Sequence, residues 1–170
     1  MLALLWRLYN FILIGCLVLA GTLIAAAIAL VVVDVSIRAL GFRPFDFTVA
    51  FVEYILLYFV LLAAPYLVRE KGHVCAEVVF SRLRGTPRYV CEKFVYILCI
   101  VVSLVFAWTG GVLFVEAIQY GYVDERSVDV PYWALYLFYP LSFTLIAIEF
   151  ARYLIGVDSM YARHEPMESM

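Results

Sequence analysis

Four long apolar runs, separated by short polar segments, dominate the pattern along the chain. The first runs without a charge from Leu8 to Val33, and the second, from Phe47 to Val68, contains one acid, Glu53. The third, from Phe94 to Val115, and the fourth, from Val130 to Ile148, contain no charge. A bilayer core about 30 Å thick is crossed by about 20 helical residues. The pattern therefore predicts four membrane-spanning helices.

The connection between the second and third runs has a different pattern. Val74, Val78, Val79 and Leu83 recur at helical spacing, with polar residues between them. This favours a short amphipathic helix at about 73–84 that lies along the membrane surface, although an ordinary polar loop remains an alternative. The arginines of this connection, which would lie near anionic lipid, are Arg82, Arg84 and Arg88.

These patterns predict an all-α integral membrane protein that forms a single membrane domain over residues 1–170. The expected spans are about 8–36, 47–69, 88–119 and 130–155, with the interfacial helix between the second and third and a tail at 156–170. Pro65 and Pro140 are expected to bend the second and fourth spans, because proline removes a helical hydrogen bond.

Composition and charge support a membrane location and predict an orientation. The chain is 66% hydrophobic and 15% charged, whereas a soluble domain is about half apolar and a quarter charged. The net charge of −2 argues against nucleic acid as a partner. Nine of the twelve Lys and Arg residues would lie on the side shared by both termini and the 69–93 connection. The positive-inside rule then places both termini in the cytoplasm.

The sequence contains no catalytic or metal-binding pattern. Its four cysteines and two histidines show no ligand spacing, and no nucleophile–base pair or phosphate loop is visible. We therefore expect no enzymatic activity, no cofactor, no metal site and no substrate-binding residues in this chain. Membrane lipids are the expected small-molecule contacts.

A few polar and small residues in the spans are candidates for helix pairing or for contact with a partner protein. Glu53 is the deepest acid and is expected to pair with a donor at a helix interface, with ion or proton transport as the alternative. The other candidates are the i,i+4 pair Asp34 and Arg38 and the small-residue stripe Gly21, Ala25 and Ala29. Glu149 and Arg152 are interpreted as an interfacial pair. Tyr132, Trp133 and Tyr136 are predicted to anchor the fourth span at headgroup depth.

Several segments together resemble a known family. They are REKGHV at 69–74, ERSVDVPYW at 125–133 and YLFYPLSF at 136–143, within the four-helix arrangement. They are similar to the small membrane subunit (Q-type, DctQ-like) of tripartite ATP-independent periplasmic (TRAP) transporters. The resemblance covers roughly residues 8–155, and its motifs carry no catalytic signature.

The resemblance implies a permease subunit in a bacterial inner membrane. In that family a periplasmic binding protein delivers an organic acid, and a large membrane subunit (M-type) holds the substrate and sodium sites. The small subunit would pack beside it as a scaffold for sodium-coupled symport. Two other readings remain open: a self-contained proton-coupled four-helix exporter, or an assembly or anchoring subunit of another membrane complex. A four-helix exporter places an acid midway along its first helix, and Leu8–Val33 has none.

Overall fold

The computed structural model describes residues 2–43, 45–70, 86–125 and 128–156. Side chains are described from Trp6 onward in the first range and from Tyr89 onward in the third. Three long helices come first: α1 (Leu2–Ala39), α2 (Thr48–Arg69) and α3 (Thr86–Tyr120). A two-residue strand pair, β1 (Val123–Asp124) and β2 (Val130–Pro131), precedes α4 (Tyr132–Tyr136) and α5 (Phe138–Ile155). The interfacial helix predicted at 73–84 lies outside the described residues.

The structure confirms four helices that are long and apolar enough to cross a membrane. They cover Trp6–Ala39, Thr48–Arg69, Tyr89–Tyr120 and Tyr132–Ile155. Helices α1 and α3 extend beyond their charge-free runs, because the polar residues that flank each run also adopt helical geometry. Pro87 is tolerated in α3 because it lies in the first turn, where a missing N–H leaves no helical bond unmade.

The four long helices, α1, α2, α3 and α5, alternate in direction along the chain. In space they form a row in the order α1, α2, α5, α3. Asp34 near the end of α1 meets Thr48 at the start of α2, and Arg69 at the end of α2 meets Asn10 on α1. Helix α5 runs parallel to α2, and Lys93 near the start of α3 reaches the end of α5. We call the end of the bundle that contains the start of α1 the Trp6 end, and the opposite end the Asp34 end.

The two edge helices each bury one line of residues that repeats every seven positions. On α1 the buried residues are Leu13, Ala20, Ala27 and Asp34. On α3 they are Tyr96, Ser103, Gly110 and Ala117. A seven-residue repeat keeps one seam facing a neighbouring helix that crosses at a small angle. Each edge helix therefore packs on the bundle through a single seam, and most of its remaining surface is exposed.

The closest approach of α3 to α5 is at Gly110. A Cβ atom added there would lie 2.8 Å from the Cβ of Tyr139, a contact that real Cβ atoms do not make. Gly110 therefore lets the two backbones approach in a way that no larger residue would allow. Dispersion and close packing hold membrane helices together, because lipid removes the hydrophobic driving force between them.

The fourth span is broken, and the break lies just before Pro140. Helix α4 ends at Tyr136 and α5 begins at Phe138, with Leu137 between them donating its N–H to the carbonyl of Ala134. Pro140 has no N–H for the carbonyl four residues earlier, at Tyr136, and its ring clashes with that carbonyl. The predicted bend at Pro140 is therefore an interruption of the helix.

Pro65 has a different effect, because α2 continues through it. The carbonyl that Pro65 leaves without a helical donor belongs to Leu61, four residues earlier. The hydroxyl of Ser142 on α5 donates to that carbonyl at 2.5 Å. Both Ser142 and Pro65 are buried, so a donor from a neighbouring helix replaces the missing backbone bond inside the bundle.

The short strand pair is the one departure from an all-α fold within the described residues. Val123 pairs with Pro131 and Asp124 with Val130 in antiparallel register. The N–H of Tyr132 also donates to the carbonyl of Tyr122 at 3.0 Å. The ladder holds the end of α3 beside the start of α4.

Candidate functional site

Polar side chains in the bundle form two clusters, one at each end, and most of them join different helices. At the Asp34 end, the carboxylate of Asp34 is buried between α1 and α2. It accepts hydrogen bonds from the Nε of Arg38 at 2.8 Å, the hydroxyl of Thr48 at 3.1 Å and the N–H of Phe45 at 3.3 Å. Because the carboxylate lies at the start of α2, it also meets the positive end of that helix dipole.

Two further contacts at this end connect α2 to the loop and to α4. The hydroxyl of Tyr54 donates to the carboxylate of Asp124 at 2.9 Å, and the hydroxyl of Tyr58 donates to the carbonyl of Ala134 at 2.7 Å. Asp124 is buried. Tyrosines on α2 therefore fix the position of β1 and α4 relative to the bundle.

At the Trp6 end, the most buried charge in the described chain is Glu149 on α5, with no exposed surface. The hydroxyl of Tyr9 on α1 donates to its Oε1 at 2.7 Å, and the Nη1 of Arg152 donates to its Oε2. Since a buried carboxylate needs both a countercharge and hydrogen bonds, this arrangement satisfies each requirement. The pair is therefore a buried contact between α1 and α5 at this end of the bundle, and its interpretation as an interfacial pair stays a prediction.

The indole of Trp6 lies close to two guanidinium groups. The Cζ of Arg152 is 4.2 Å from the ring centroid and that of Arg69 is 5.7 Å. Arg69 also donates to the Oδ1 of Asn10 at 2.7 Å. Cation–π contacts of this kind attach the start of α1 to the ends of both α2 and α5.

Helix ends at the Trp6 end are capped by side chains from neighbouring helices. The hydroxyl of Tyr153 lies 3.0 Å from the carbonyl of Val68 and 2.9 Å from that of Arg69, the last residues of α2. The ammonium of Lys93 donates to the carbonyl of Leu154 at 2.6 Å, near the end of α5. The last carbonyls of a helix have no hydrogen-bond donor within it, so these side chains supply the hydrogen bonds that each helix cannot make alone.

Comparison with known families decides what this four-helix bundle is. Residues 27–158 match the family described as tripartite ATP-independent periplasmic transporters, DctQ component. The chain belongs to the DctQ family. No curated protein and no solved structure matches it. The DctQ match begins at Ala27 within α1 and continues through α5, so it includes Glu149 and Arg152 but not Trp6 or Tyr9.

DctQ is a transporter component, and membership therefore confirms a TRAP small permease subunit and a multi-pass membrane protein. Within the described residues, no charged side chain lies in the central part of a spanning helix. The charged groups of this DctQ chain lie instead toward its two ends, and several of them join different helices.

The residues singled out from the sequence lie in different environments in the structure. Asp34 and Arg38 form an ion pair across one helical turn. Glu53 is exposed on α2, one residue before Tyr54, which reaches Asp124 in the loop, so this acid lies near the Asp34 end. The stripe of Gly21, Ala25 and Ala29 is exposed on α1, and a Cβ at Gly21 would meet nothing within 4 Å.

The predicted anchors fall partly within the described residues. Tyr132 and Tyr136 stack with ring centroids 6.0 Å apart on α4, and Trp133 is exposed beside them. Arg88 lies in the first turn of α3, and Arg82 and Arg84 lie outside the described residues. Sequence reasoning missed Ser142, Tyr9 and Gly110, each of which makes a close contact between helices.

Proposed function

We propose that this chain packs beside the large membrane subunit of a TRAP transporter and enlarges the fixed membrane scaffold. The transporter would take up an organic acid, delivered by a periplasmic binding protein, with sodium as the coupling ion. The observation that carries the proposal is where the charges lie. Those of the described spans lie toward the helix ends, and Asp34, Glu149 and Arg152 are used in contacts within the chain. A chain of this kind holds position and leaves substrate and ion binding to its partner.

The exposed surface of the edge helices supports the same role. On α1, the large side chains of Phe11, Val18 and Ile28 are at least 60% exposed, although they lie within a spanning segment. Lipid covers such surface, and so does a second membrane protein. A scaffold subunit requires a broad apolar surface of this kind for its partner.

We further propose that the chain lies in the bacterial inner membrane with the Trp6 end toward the cytoplasm. The excess of Lys and Arg on that side supports this orientation. Tyr132, Trp133 and Tyr136 would then lie among the outer headgroups, and the arginines of the 69–93 connection would lie near anionic lipid of the inner leaflet.

Reconstitution tests the proposal directly. The chain alone, placed in liposomes under an inward sodium or proton gradient, should accumulate no organic acid. Liposomes that also contain the large subunit, supplied with the loaded binding protein, should take up the acid when the sodium gradient is applied. Coupled uptake by the chain alone would refute the scaffold role and favour a self-contained transporter. Leaving this chain out of the complete system should abolish uptake or strongly reduce it.

A further inference from the structure

The exposed side of α3 contains a recess that no other part of the described chain fills. It has a volume of about 380 Å³ and is lined by Ala107, Trp108, Gly111, Val112, Val115 and Glu116. The recess exists because Gly111 has no side chain, and a Cβ atom added there would meet nothing within 4 Å. The adjacent Gly110 is turned by about 100° around the helix and faces Tyr139 on α5. Two neighbouring glycines therefore serve two different surfaces, and only one of those surfaces is covered.

Trp108 forms one end of the recess and is exposed at membrane depth. Its side chain is 77% exposed. Its depth follows from its neighbour Phe106, which stacks on Phe143. Phe143 lies eleven residues beyond the start of α4 at Tyr132 and is therefore far from that end of the span. Tryptophan in membrane proteins is concentrated at the headgroups, where its N–H finds a partner. Trp108 makes no hydrogen bond to the described residues. An indole N–H directed into lipid tails would remain unsatisfied, whereas a protein helix can supply an acceptor.

Glu116 forms the other end of the recess. It is exposed, lies one turn before the end of α3 at Tyr120, and makes no ion pair or hydrogen bond within the described part of the chain. It is separated from Trp108 by eight residues, or about 12 Å along the helix. The recess is therefore an apolar notch with a hydrogen-bond donor at one end and a carboxylate at the other.

Trp108 and Glu116 determine which kind of molecule could occupy the recess. The acyl chain of a lipid would fill the notch, and its headgroup could reach Glu116 near the end of α3, but a lipid would offer no acceptor to the indole about 12 Å deeper. A second copy of this chain, related by a twofold axis normal to the membrane, would bring one Glu116 toward the other with no cation between them, which is unfavourable. A transmembrane helix can place an apolar side chain in the notch, a basic or amide side chain near Glu116 and an acceptor near the indole of Trp108.

We propose that this recess of α3 is the surface that receives a transmembrane helix of the large subunit. The proposal rests on the proposed function, since it names the face through which the scaffold contact is made. In this arrangement, the partner's apolar side chain lies over Gly111, and its basic or amide donor faces Glu116.

The chain offers a matched pair of glycines for the test. Gly111 on α3 and Gly21 on α1 both lie in spans, and neither has a neighbour within 4 Å of an added Cβ. Gly111→Leu and Gly21→Leu should therefore both fold, with unchanged thermal unfolding of the isolated chain in detergent. Each variant is co-expressed with a tagged large subunit, and the amount of small chain retained after detergent purification is measured.

We expect Gly111→Leu to reduce retention by about tenfold or more and Gly21→Leu to leave it within about twofold of wild type. Glu116→Gln should retain more partner than Glu116→Leu, because an amide still accepts a hydrogen bond. A photo-crosslinking residue at Val112 should attach to the large subunit, whereas one at Val18 on α1 should not.

Wild-type retention of Gly111→Leu, loss of the partner only in Gly21→Leu, or crosslinking from Val112 to lipid or to a second copy would overturn the recess assignment. These results would leave the proposed function intact, provided the wild-type chain is retained. Failure of the wild-type chain itself to co-purify with the large subunit would refute the proposed function and this inference together.

Discussion

The hydroxyl of Ser142 on α5 donates to the carbonyl of Leu61 on α2, the one carbonyl that Pro65 leaves without its helical donor. The proline and the serine are separated by 77 residues in sequence and are joined through a third residue. A defect in one helix is thus repaired by a side chain on the next, and this repair lies where α2 and α5 are packed in the centre of the row.

The repair predicts an unusual dependence between two substitutions. Ser142→Ala leaves the buried carbonyl of Leu61 without a donor and should lower the free energy of unfolding by about 1–2 kcal/mol. In a Pro65→Ala background, the new backbone N–H can donate to Leu61, and the same substitution should then cost much less. Thermal unfolding of the four purified variants measures this coupling. Equal losses in both backgrounds would show that Ser142 does not compensate for the proline.

Tyr9→Phe should destabilise the bundle by about 1–3 kcal/mol, because it removes a hydrogen bond to the buried carboxylate of Glu149. Glu149→Leu should be worse, since it leaves Arg152 buried without its countercharge. Tyr89→Phe is the matched control, because Tyr89 is largely exposed and keeps its ring against Lys93. Thermal unfolding in detergent compares the three. A loss for Tyr89→Phe as large as that for Tyr9→Phe would contradict the special role of the buried carboxylate.

The two partners of the Asp34–Arg38 ion pair should not contribute equally. The Asp34 side chain is 7% exposed and accepts bonds from three residues, whereas that of Arg38 is 54% exposed. Asp34→Ala should therefore cost about 2–3 kcal/mol, and Arg38→Gln less than about 1 kcal/mol. Unfolding measurements at low and high salt should show salt sensitivity only for the Arg38 contribution. Similar losses for both variants would mean that the ion pair outweighs the bonds to Thr48 and Phe45.

Glu53 should act in assembly and not in coupling. Glu53→Gln keeps a hydrogen-bonding group on the exposed side of α2, so uptake and sodium stoichiometry should be unchanged. Glu53→Leu should weaken retention of the large subunit by about 1–2 kcal/mol while leaving stoichiometry unchanged in the complex that survives. Flux measurements on purified complexes provide the comparison. An intact but uncoupled Glu53→Gln complex would instead identify this acid as an ion or proton ligand.

The orientation can be tested with two serines that lie in the connections. On a background lacking all four cysteines, Ser127→Cys should react from outside intact cells with an impermeant thiol reagent, and Ser81→Cys should react only after the membrane is opened. Permeabilised cells are the control for reactivity of both sites. Labelling of Ser81→Cys from outside, with protection of Ser127→Cys, would place both termini outside the cytoplasm.

The number and order of the spanning helices could be predicted from the sequence, because charge-free runs contrast with the polar segments between them. Which face of each helix is buried could not. Helix α1 is apolar all round, so Ala20 and Ala27 in the seam look no different from Ala25 and Ala29, which are exposed. In a membrane, hydrophobicity does not distinguish the side that meets protein from the side that meets lipid.

The polar contacts were predictable only where both partners are close in sequence. Asp34 and Arg38 are one turn apart, and helical spacing alone suggests their pairing. Tyr9 and Glu149 are 140 residues apart, and nothing in the local pattern of either one indicates the other. Glu149 also lies close to the end of its apolar run, where an acid would ordinarily reach the headgroups. Packing of α1 against the end of α5 buries it instead.

The unequal lengths of the packed helices create a hydrophobic mismatch. The charge-free run of α1, 26 residues long, measures about 39 Å, whereas a hydrocarbon core is about 30 Å thick. A run longer than the core is accommodated by tilting or bending of the helix or by local thickening of the bilayer. The 22 residues of α2, packed along α1, measure about 33 Å, so the two helices match different thicknesses of bilayer. Lipid beside α1 would have to adapt to the longer run, and covering this edge helix with protein would remove that deformation.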